Sequence, residues 1–326
     1  MTERGSAQKT IDGVSVVVPV YDSESSLVPL LNRLDATLES IARRFEVILV
    51  NDGSRDQSWT VITREAAART RVTGIDLSRN YGQHNALLCG IRAAQYELIV
   101  TMDDDLQNPP EAIPTLLERL SQGHDVVYGA PEHEVHGVWR DIASRTTKLV
   151  LGNVLGADTA RQVCGFRAFR RDLRSAFDNF DGPAVNLDVL LTWATTRFSA
   201  VRVPHEPRNL GHSNYTFARL MTHALNMLTG FSTGPLQLAT LLGFCLSMFG
   251  AILLAIVLAR YVIHGVLVPG FTFLASVIVI FSGAQLFTLG VIGEYLARMH
   301  FRIMQKPSYS VRTSVGIAHA ADAAQT

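Results

Sequence analysis

The stretch VSVVVPV, residues 14–20, decides the fold class. It is a near-continuous β-branched run, as expected for a strand that is buried on both faces of a parallel sheet. Helix-like and strand-like segments then alternate, in the order 25–42, 45–52, 58–69, 72–78, 84–95 and 96–103. This alternation predicts a doubly wound α/β sheet with right-handed crossovers. No GxGxxG follows the first strand, so the dinucleotide-dependent oxidoreductases of this fold class have no support.

Polar segments follow each of the four predicted strands, at 19–24, 51–56, 78–84 and 103–110. In a sheet of this kind, ligands bind beyond the carboxyl ends of the strands.

The last of these segments lies within TMDDDLQNPP, residues 101–110, with three adjacent acids. If the chain stays extended, Asp103 and Asp105 project to one side and Asp104 to the other. Such a pair can hold Mg²⁺ or Mn²⁺ against phosphate oxygens. The alternative is a solvated acidic turn before a helix.

Composition excludes several other classes of protein. The 326 residues carry 29 basic and 29 acidic side chains, and this zero net charge argues against a general nucleic-acid binder. The cysteines, Cys89, Cys164 and Cys245, are widely spaced without a CxxC pair, which indicates reduced core residues rather than a disulfide framework or a zinc site. The histidines show no HxxxH or HExxH pair, so a histidine metal site is not expected.

The C-terminal third predicts a membrane anchor. Residues 236–259 and 266–293 contain no charged side chain, and each run exceeds the ~20 apolar residues that span a bilayer as helix. The short segment between them predicts an antiparallel hairpin of two transmembrane helices, at about 236–259 and 268–293. Basic residues concentrate after the second run, at Arg298, Arg302, Lys306 and Arg312, and the polar N-terminus lacks a signal peptide. Both features predict a multi-pass protein of the cell (inner) membrane whose N-terminal α/β domain and C-terminal tail are cytoplasmic.

Six motifs in this order, followed by two apolar helices, resemble family 2 glycosyltransferases: VVVPVYDSE, ILVNDGSRD, LSRNYGQHNALLCG, TMDDDLQNPPE, CGFRAF and EPRNLGHSNY. Within that family the chain is similar to the polyprenyl-phosphate subgroup, which includes dolichol-phosphate mannose synthases, bactoprenol glucosyltransferases and undecaprenyl-phosphate aminoarabinose transferases. The resemblance covers residues 14–310. It implies a GT-A fold and inverting transfer of a sugar from a nucleotide sugar to a lipid phosphate. It further implies a divalent metal, uridine diphosphate as the expected carrier, and a homo-oligomer, since relatives form tetramers.

The resemblance also implies roles for individual residues of the donor site. The nucleoside positions are Pro19, Tyr21 and Asp52, and the base-side loop contains Arg79 and Gly82. The metal positions are Asp103, Asp105 and Gln107. Asp104 occupies the variable middle position beside the nucleotide, and we expect it to be dispensable. The family usually has Tyr-Asn-Glu after the first strand, whereas this chain has Ser23 at the Glu position and Glu24 one residue later. Glu24 is therefore a weaker candidate for nucleotide binding than Asp52, which by itself also fits a turn-forming Asp-Gly.

The acceptor is expected to be a lipid-borne phosphate, which is already ionised and needs charge screening and orientation by arginine. Candidate arginines and their neighbours are Arg140, Arg145, Arg167, Arg208, Ser213 and Tyr215. Asp188 is either a catalytic base or a residue that positions an arginine or the sugar. Segments 138–155 and 214–234 are amphipathic, and we expect the second to lie at the membrane interface. The alternative for the first is an ordinary half-buried helix with solvated charges.

The sequence thus predicts a polyprenyl-phosphate glycosyltransferase on the cytoplasmic leaflet of the bilayer, serving cell-envelope glycan modification. Its expected parts are a tail (1–13), a GT-A domain (14–213), an interfacial helix (214–234), two membrane helices (235–296) and a cytoplasmic tail (297–326). Two alternatives are a processive polysaccharide synthase and a catalytically inactive regulatory homologue. The first usually carries a QxxRW-like motif and more membrane helices, and the intact acidic motif argues against the second.

Overall fold

A computed structural model of the protein describes residues 11–131, 163–182, 185–206, 234–264, 270–304 and 307–316. The chain divides into two compact units. The first combines Met1–Thr216 with Gln305–Thr326, and the second is Phe217–Met304.

The first unit contains eight strands: β1 (Val14–Val20), β2 (Phe45–Asn51), β3 (Val72–Leu77), β4 (Leu98–Thr101), β5 (Val126–Pro131), β6 (Arg167–Arg170), β7 (Phe198–Val203) and β8 (Val311–Val315). Its described helices are α1 (Leu27–Ile41), α2 (Ser58–Ala68), α3 (Gln83–Ala93), α4 (Ile113–Ser121) and α5 (Leu187–Ala194). Two short 3₁₀ turns occur at Pro110–Ala112 and Arg171–Ala176.

The strands form one sheet in the order β7-β5-β6-β4-β1-β2-β3-β8. Strands β4, β1, β2 and β3 are parallel, which confirms the alternating α/β prediction for the centre of the sheet. Strand β6 is antiparallel to both β4 and β5, and β8 is antiparallel to β3. The result is one mixed sheet of parallel and antiparallel strands.

All seven residues of β1 are buried, because helices cover both faces of the sheet. Val16 and Val18 pack into the core beneath α1 and α4. Val17 packs on the opposite face, beneath α3. Full burial of one such side chain contributes about 1.5–3 kcal/mol. The continuous valine run is therefore explained by two cores that share one strand.

Strand β8 comes from the C-terminal end of the chain and closes one edge of the sheet against β3. The sequence predicts a cytoplasmic tail over 297–326, whereas Val311–Val315 within this segment form an edge strand of the main sheet. Its sequence, VRTSV, has no apolar run that would predict a strand. Its pairing partner lies more than two hundred residues earlier in the chain.

The second unit contains two long helices, α6 (Gly234–His264) and α7 (Phe271–Ile303), which pack against each other. Among the described residues, one window, Ile280–Ala297, is apolar and long enough to cross a membrane. Leu236–Ile252 in α6 is a shorter apolar stretch. The two helices overlap the predicted segments 236–259 and 268–293, but α7 continues to Ile303, into the segment predicted as a tail. The membrane hairpin itself stays a prediction.

Candidate active site

The candidate site lies at the carboxyl edge of the sheet, where β3, β2, β1 and β4 are neighbours. Four polar segments leave the strands at this edge. We name them the first loop (21–26), the second loop (52–57), the third loop (78–82) and the acidic turn (102–109). Because adjacent parallel strands end together, these segments can contact one another.

The first and second loops are joined by reciprocal hydrogen bonds. Asp22, with a φ of 52°, donates its backbone amide to the Ser54 hydroxyl at 3.1 Å and accepts from the Arg55 amide at 2.7 Å. The Glu24 carboxylate accepts from the backbone amide of Gln57 at 2.8 Å, just before α2 begins. Glu24 therefore fixes the second loop, a structural contact that its predicted nucleotide-binding role did not include.

The second and third loops meet at Asp52. Its carboxylate accepts from the backbone amides of Tyr81 at 2.7 Å and Gly82 at 2.8 Å. Burial raises the pKa of Asp52 to about 6, while these two hydrogen bonds act in the opposite direction. Gly53 follows with a φ of +69°, and a Cβ there would lie 2.6 Å from the backbone nitrogen of Asn80. Only glycine allows this approach.

Two aromatic rings lie on these loops. The Arg79 guanidinium stacks over the Tyr81 ring at 4.6 Å from its centroid. The Tyr21 side chain, one residue beyond β1, is 39% exposed. Pro19 is buried in β1 opposite Val50. The nucleoside positions predicted from the sequence thus lie on adjacent loops at one edge, with exposed aromatic surface next to them.

In the acidic turn, each carboxylate has its own hydrogen-bond donor. Asp103 accepts from the Gln83 side-chain amide of α3 at 2.6 Å, and Asp104 accepts from the Tyr21 backbone amide at 3.2 Å. Asp105 accepts from the backbone amide of Gln107 at 3.2 Å. Strand β4 ends at Thr101, before the first acid, so the argument from an extended chain does not apply here. Asp104 thus connects the acidic turn to the first loop. The prediction that Asp104 is dispensable did not take this contact into account.

The half-buried carboxylates of this turn repel one another. Burial raises the pKa of Asp103 to about 6, and the negative charges of Asp105 and Asp104 add to the effect. Burial also raises the pKa of Asp104 to about 6. The described residues contain no group of three or more His, Cys, Asp or Glu side chains arranged around a metal position. The Asp103 and Asp105 carboxylates, with the Gln83 side-chain amide beside Asp103, nevertheless offer the oxygen ligands and the negative charge that Mg²⁺ or Mn²⁺ requires.

A buried ion pair lies beside the acidic turn. Arg167 in β6 is 2% exposed and pairs with Asp188 in α5, whose carboxylate also accepts from the Tyr128 hydroxyl at 3.0 Å. Gly165 brings this strand close to the turn, since a Cβ there would lie 2.7 Å from a carboxylate oxygen of Asp103. The sequence leaves two roles open for Asp188: a catalytic base, or a residue that positions an arginine or the sugar. The ion pair with Arg167 is the contact expected of a residue that positions an arginine.

Comparison with known proteins shows the family of this chain. The model of the family described as "Glycosyl transferase family 2" matches residues 15–177. The chain belongs to glycosyl transferase family 2. A relative from Pseudomonas paraeruginosa, named undecaprenyl-phosphate 4-deoxy-4-formamido-L-arabinose transferase, is 36% identical over 315 residues, covering 95% of this chain and 93% of that protein. A relative of the same name from Pectobacterium atrosepticum is 33% identical over 311 residues, covering 94% and 95%.

A solved structure shares the fold. Glucosyl-3-phosphoglycerate synthase from Mycobacterium tuberculosis, in complex with Mn²⁺ and uridine-diphosphate-glucose, superposes with a TM-score of 0.51 at 16% identity. The match covers 67% of this chain and 77% of that one. At this identity the likeness shows the fold alone. Together with the family match, it confirms the predicted GT-A-like catalytic unit of an enzyme of the glycosyltransferase class.

Part of the family's expected acceptor machinery lies outside the described residues. This applies to Arg140, Arg145, Arg208, Ser213 and Tyr215, to segment 138–155, and to residues 214–233 of the predicted interfacial helix. Arg167 is described, and its burial with Asp188 gives it a structural partner in addition to its predicted acceptor role.

The family site also contains contacts that the sequence analysis did not single out. The Gln83 side chain, within the motif LSRNYGQHNALLCG, holds Asp103. Gln83 is the first residue of α3 and directly follows the third loop, and this position is the sequence feature that could have identified it as a site residue. Asp76 accepts from the Asn51 side chain at 2.7 Å and so joins the ends of β3 and β2. No local motif pointed to that pair, because it depends on the pairing of the two strands.

Proposed function

We propose that the protein transfers a sugar, with inversion, from a nucleotide-diphosphate sugar to a polyprenyl phosphate at the cytoplasmic face of a membrane. The observation that carries this proposal is the joining of the base-side loops to the acidic turn at one sheet edge: Asp52 holds the third loop, and Asp104 holds the first. The curated relatives that match almost the whole chain are named as undecaprenyl-phosphate sugar transferases.

The donor half of the site would bind a nucleoside diphosphate. The Tyr21 and Tyr81 rings offer aromatic surface for a base, and Arg79, stacked on Tyr81, adds positive charge. Asp103, Asp105 and Gln107 would hold Mg²⁺ or Mn²⁺, which neutralises the negative charge that develops on a departing diphosphate. Uridine diphosphate is the proposed carrier, by resemblance to the family.

The chemistry requires little base catalysis from the protein. An oxygen of the acceptor phosphate attacks the anomeric carbon, the bond from that carbon to the diphosphate oxygen breaks, and the nucleoside diphosphate leaves. The acceptor phosphate is ionised at neutral pH and needs no proton removed. A buried Asp188 that is paired with Arg167 fits this requirement, because its proposed role is to orient the arginine rather than to accept a proton.

A lipid-borne acceptor requires membrane contact, and the chain topology supports a two-helix hairpin. The chain leaves the first unit before α6 and returns to it at β8. If α7 crosses a bilayer, the chain must cross a second time to bring β8 back to the sheet. We propose that α6, which contains the shorter apolar stretch Leu236–Ile252, makes that second crossing. None of the Ile280–Ala297 window is buried, unlike a core helix of a soluble protein. The catalytic unit would then lie on one side, which we propose to be cytoplasmic.

The test is transfer to a defined acceptor. Purified protein in lipid nanodiscs would receive undecaprenyl phosphate, Mn²⁺ and one labelled nucleotide sugar at a time. We begin with the uridine-diphosphate form of 4-deoxy-4-formamido-arabinose and with uridine-diphosphate-glucose. The expected product is a solvent-extractable labelled lipid that mild acid cleaves to release the sugar. Nanodiscs without the polyprenyl phosphate are the control.

Other outcomes of the same test would favour the alternatives. A labelled polymer that grows with time would indicate a processive synthase. Nucleotide binding without any product across the donor panel would indicate an inactive homologue. Transfer to the lipid that continues undiminished in excess chelator would contradict the metal role of the acidic turn.

A further inference from the structure

The returning strand β8 lies against the strand that leads into the third loop. It pairs antiparallel with β3, opposing Thr313 to Asp76, and the register shifts between Asp76 and Leu77. Beyond the ladder, the Ser78 backbone amide donates to the Ser310 carbonyl at 2.8 Å. The C-terminal segment therefore supports the chain up to the first residue of the third loop.

Arg312 makes the side-chain contacts of this junction. One guanidinium nitrogen donates to the backbone carbonyl of Ser78 at 2.7 Å, and the other contacts the Asp76 carboxylate at 3.3 Å. Asp76 is 5% exposed, and its other oxygen accepts from the Asn51 side chain at 2.7 Å. Arg312 thus connects the end of β3, through one buried carboxylate, to the residue that precedes Asp52.

The third loop is consequently held at both ends. Arg312 fixes its first residue, Ser78, and Asp52 fixes its last two amides, those of Tyr81 and Gly82. Between these points lies Arg79, stacked on Tyr81. A loop fixed at one end samples more conformations than a loop fixed at both, and binding a ligand then costs more ordering entropy.

We propose that Arg312 is a positioning residue for the donor nucleotide: it holds the third loop in its binding conformation from the C-terminal strand that follows the apolar helices. The proposal rests on the proposed function for the identity of the ligand, a nucleoside diphosphate. It adds a contribution to the donor site from a residue that the sequence analysis counted only as a positive charge after the second apolar helix.

The first experiment needs no substrate. Hydrogen–deuterium exchange of the full chain in nanodiscs would be measured for peptides that cover residues 78–87, comparing the wild type with Arg312→Ala. We expect faster exchange at the amides of Tyr81 and Gly82 in the variant. Thr313→Ala, on the same strand with an exposed side chain, is the matched control and should leave their exchange unchanged.

The second experiment separates positioning from general damage. Arg312→Ala should raise the KM for the nucleotide sugar and the Kd for uridine diphosphate about 3- to 10-fold, since the Arg312 side chain is 61% exposed and solvent weakens its contacts. The kcat and the KM for the polyprenyl phosphate should stay at the wild-type values. Arg312→Lys keeps the charge but not the two-point contact, and should restore the donor KM in part.

Two results would overturn the proposal: unchanged exchange at residues 81 and 82 in Arg312→Ala, or a change in acceptor KM without a change in donor binding. A wild type that forms no lipid-linked sugar with any donor would instead contradict the proposed function. The exchange measurement and the uridine diphosphate Kd would still decide the role of Arg312 in that case.

Discussion

Strand β1 and helix α7 are both apolar, yet they meet opposite surroundings. All seven residues of β1 are buried between two layers of helices. None of the Ile280–Ala297 window of α7 is buried, and the Leu286 side chain is 70% exposed. Apolar composition alone does not separate the two cases. The decisive features are the length of the run and the presence of covering elements nearby in the sequence, and an uncovered apolar surface of this length calls for lipid or another chain.

The strongest test of this comparison places the same charge in each region, beginning with β1. Val17→Asp would bury a carboxylate beneath α3 without a partner, and should cost about 4–5 kcal/mol of unfolding free energy or more. The measurement is thermal unfolding and yield of folded protein in detergent. Val17→Ala, which removes volume without adding charge, should cost about 1–3 kcal/mol. Equal losses for the two variants would contradict the two-faced burial of β1.

A second change tests whether transfer activity and membrane association depend on different units of the protein. Asp105→Ala removes one proposed metal carboxylate and should lower transfer by about 10²-fold or more, since such a metal stabilises the leaving group by several kcal/mol. The protein should remain in the membrane fraction, because α6 and α7 are unaltered. Glu118→Ala, at an exposed acid of α4, is the control and should keep full activity. Unchanged turnover in Asp105→Ala would exclude the metal role of Asp105.

The counterpart in α7 is Leu286→Asp. If α7 spans a bilayer, an aspartate near the middle of the helix should disfavour insertion by about 2.5–3.5 kcal/mol. If water surrounds this surface, the same change should alter stability by no more than about 0.5 kcal/mol. The fraction of protein that resists alkaline extraction from membranes distinguishes the two outcomes. Leu286→Val, which stays apolar, should behave as the wild type in either case.

The centre of the fold could be predicted from the sequence because each element carries its own periodicity. Strands β1 (VSVVVPV) and β2 (FEVILVN) consist mostly of apolar residues, whereas β3 (VTGIDL) mixes apolar and polar ones. Helices alternate regularly with these strands along the chain. Strands β6 (RAFR) and β8 (VRTSV) could not be predicted in the same way. They are short and partly charged, and their pairing depends on residues far away in the chain, which no local pattern encodes.

The candidate site was predictable to a similar depth. The residue types and their place at strand ends pointed to Asp52, Asp103 and Asp105, and the family resemblance supplied their roles. The partners of these acids, such as Gln83 for Asp103 and the Tyr81 amide for Asp52, depend on how neighbouring loops meet. Such contacts follow from strand order and register, which only the three-dimensional structure gives.

The smallest expected effect concerns charge at the edge of the sheet. Burial raises the pKa of Asp52 from 3.8 to about 6, so the folded protein binds this proton more tightly than the unfolded chain. The stability that this proton contributes is fully present below pH ~3.8 and is lost as the pH rises through ~6. Relative to Asp52→Asn, the wild type should therefore lose about 1–3 kcal/mol of unfolding free energy between pH ~4 and ~6.

This difference would be measured as the melting temperatures of the two proteins over the same pH series, so that contributions from other acids cancel. Above pH ~7 the difference should be constant. A difference that instead grew in favour of the wild type with rising pH would mean that the amides of Tyr81 and Gly82 outweigh burial. Asp52 would then be stabilised in its charged form by these two hydrogen bonds. The edge of the sheet would thus accommodate a buried charge that the apolar core around β1 does not tolerate.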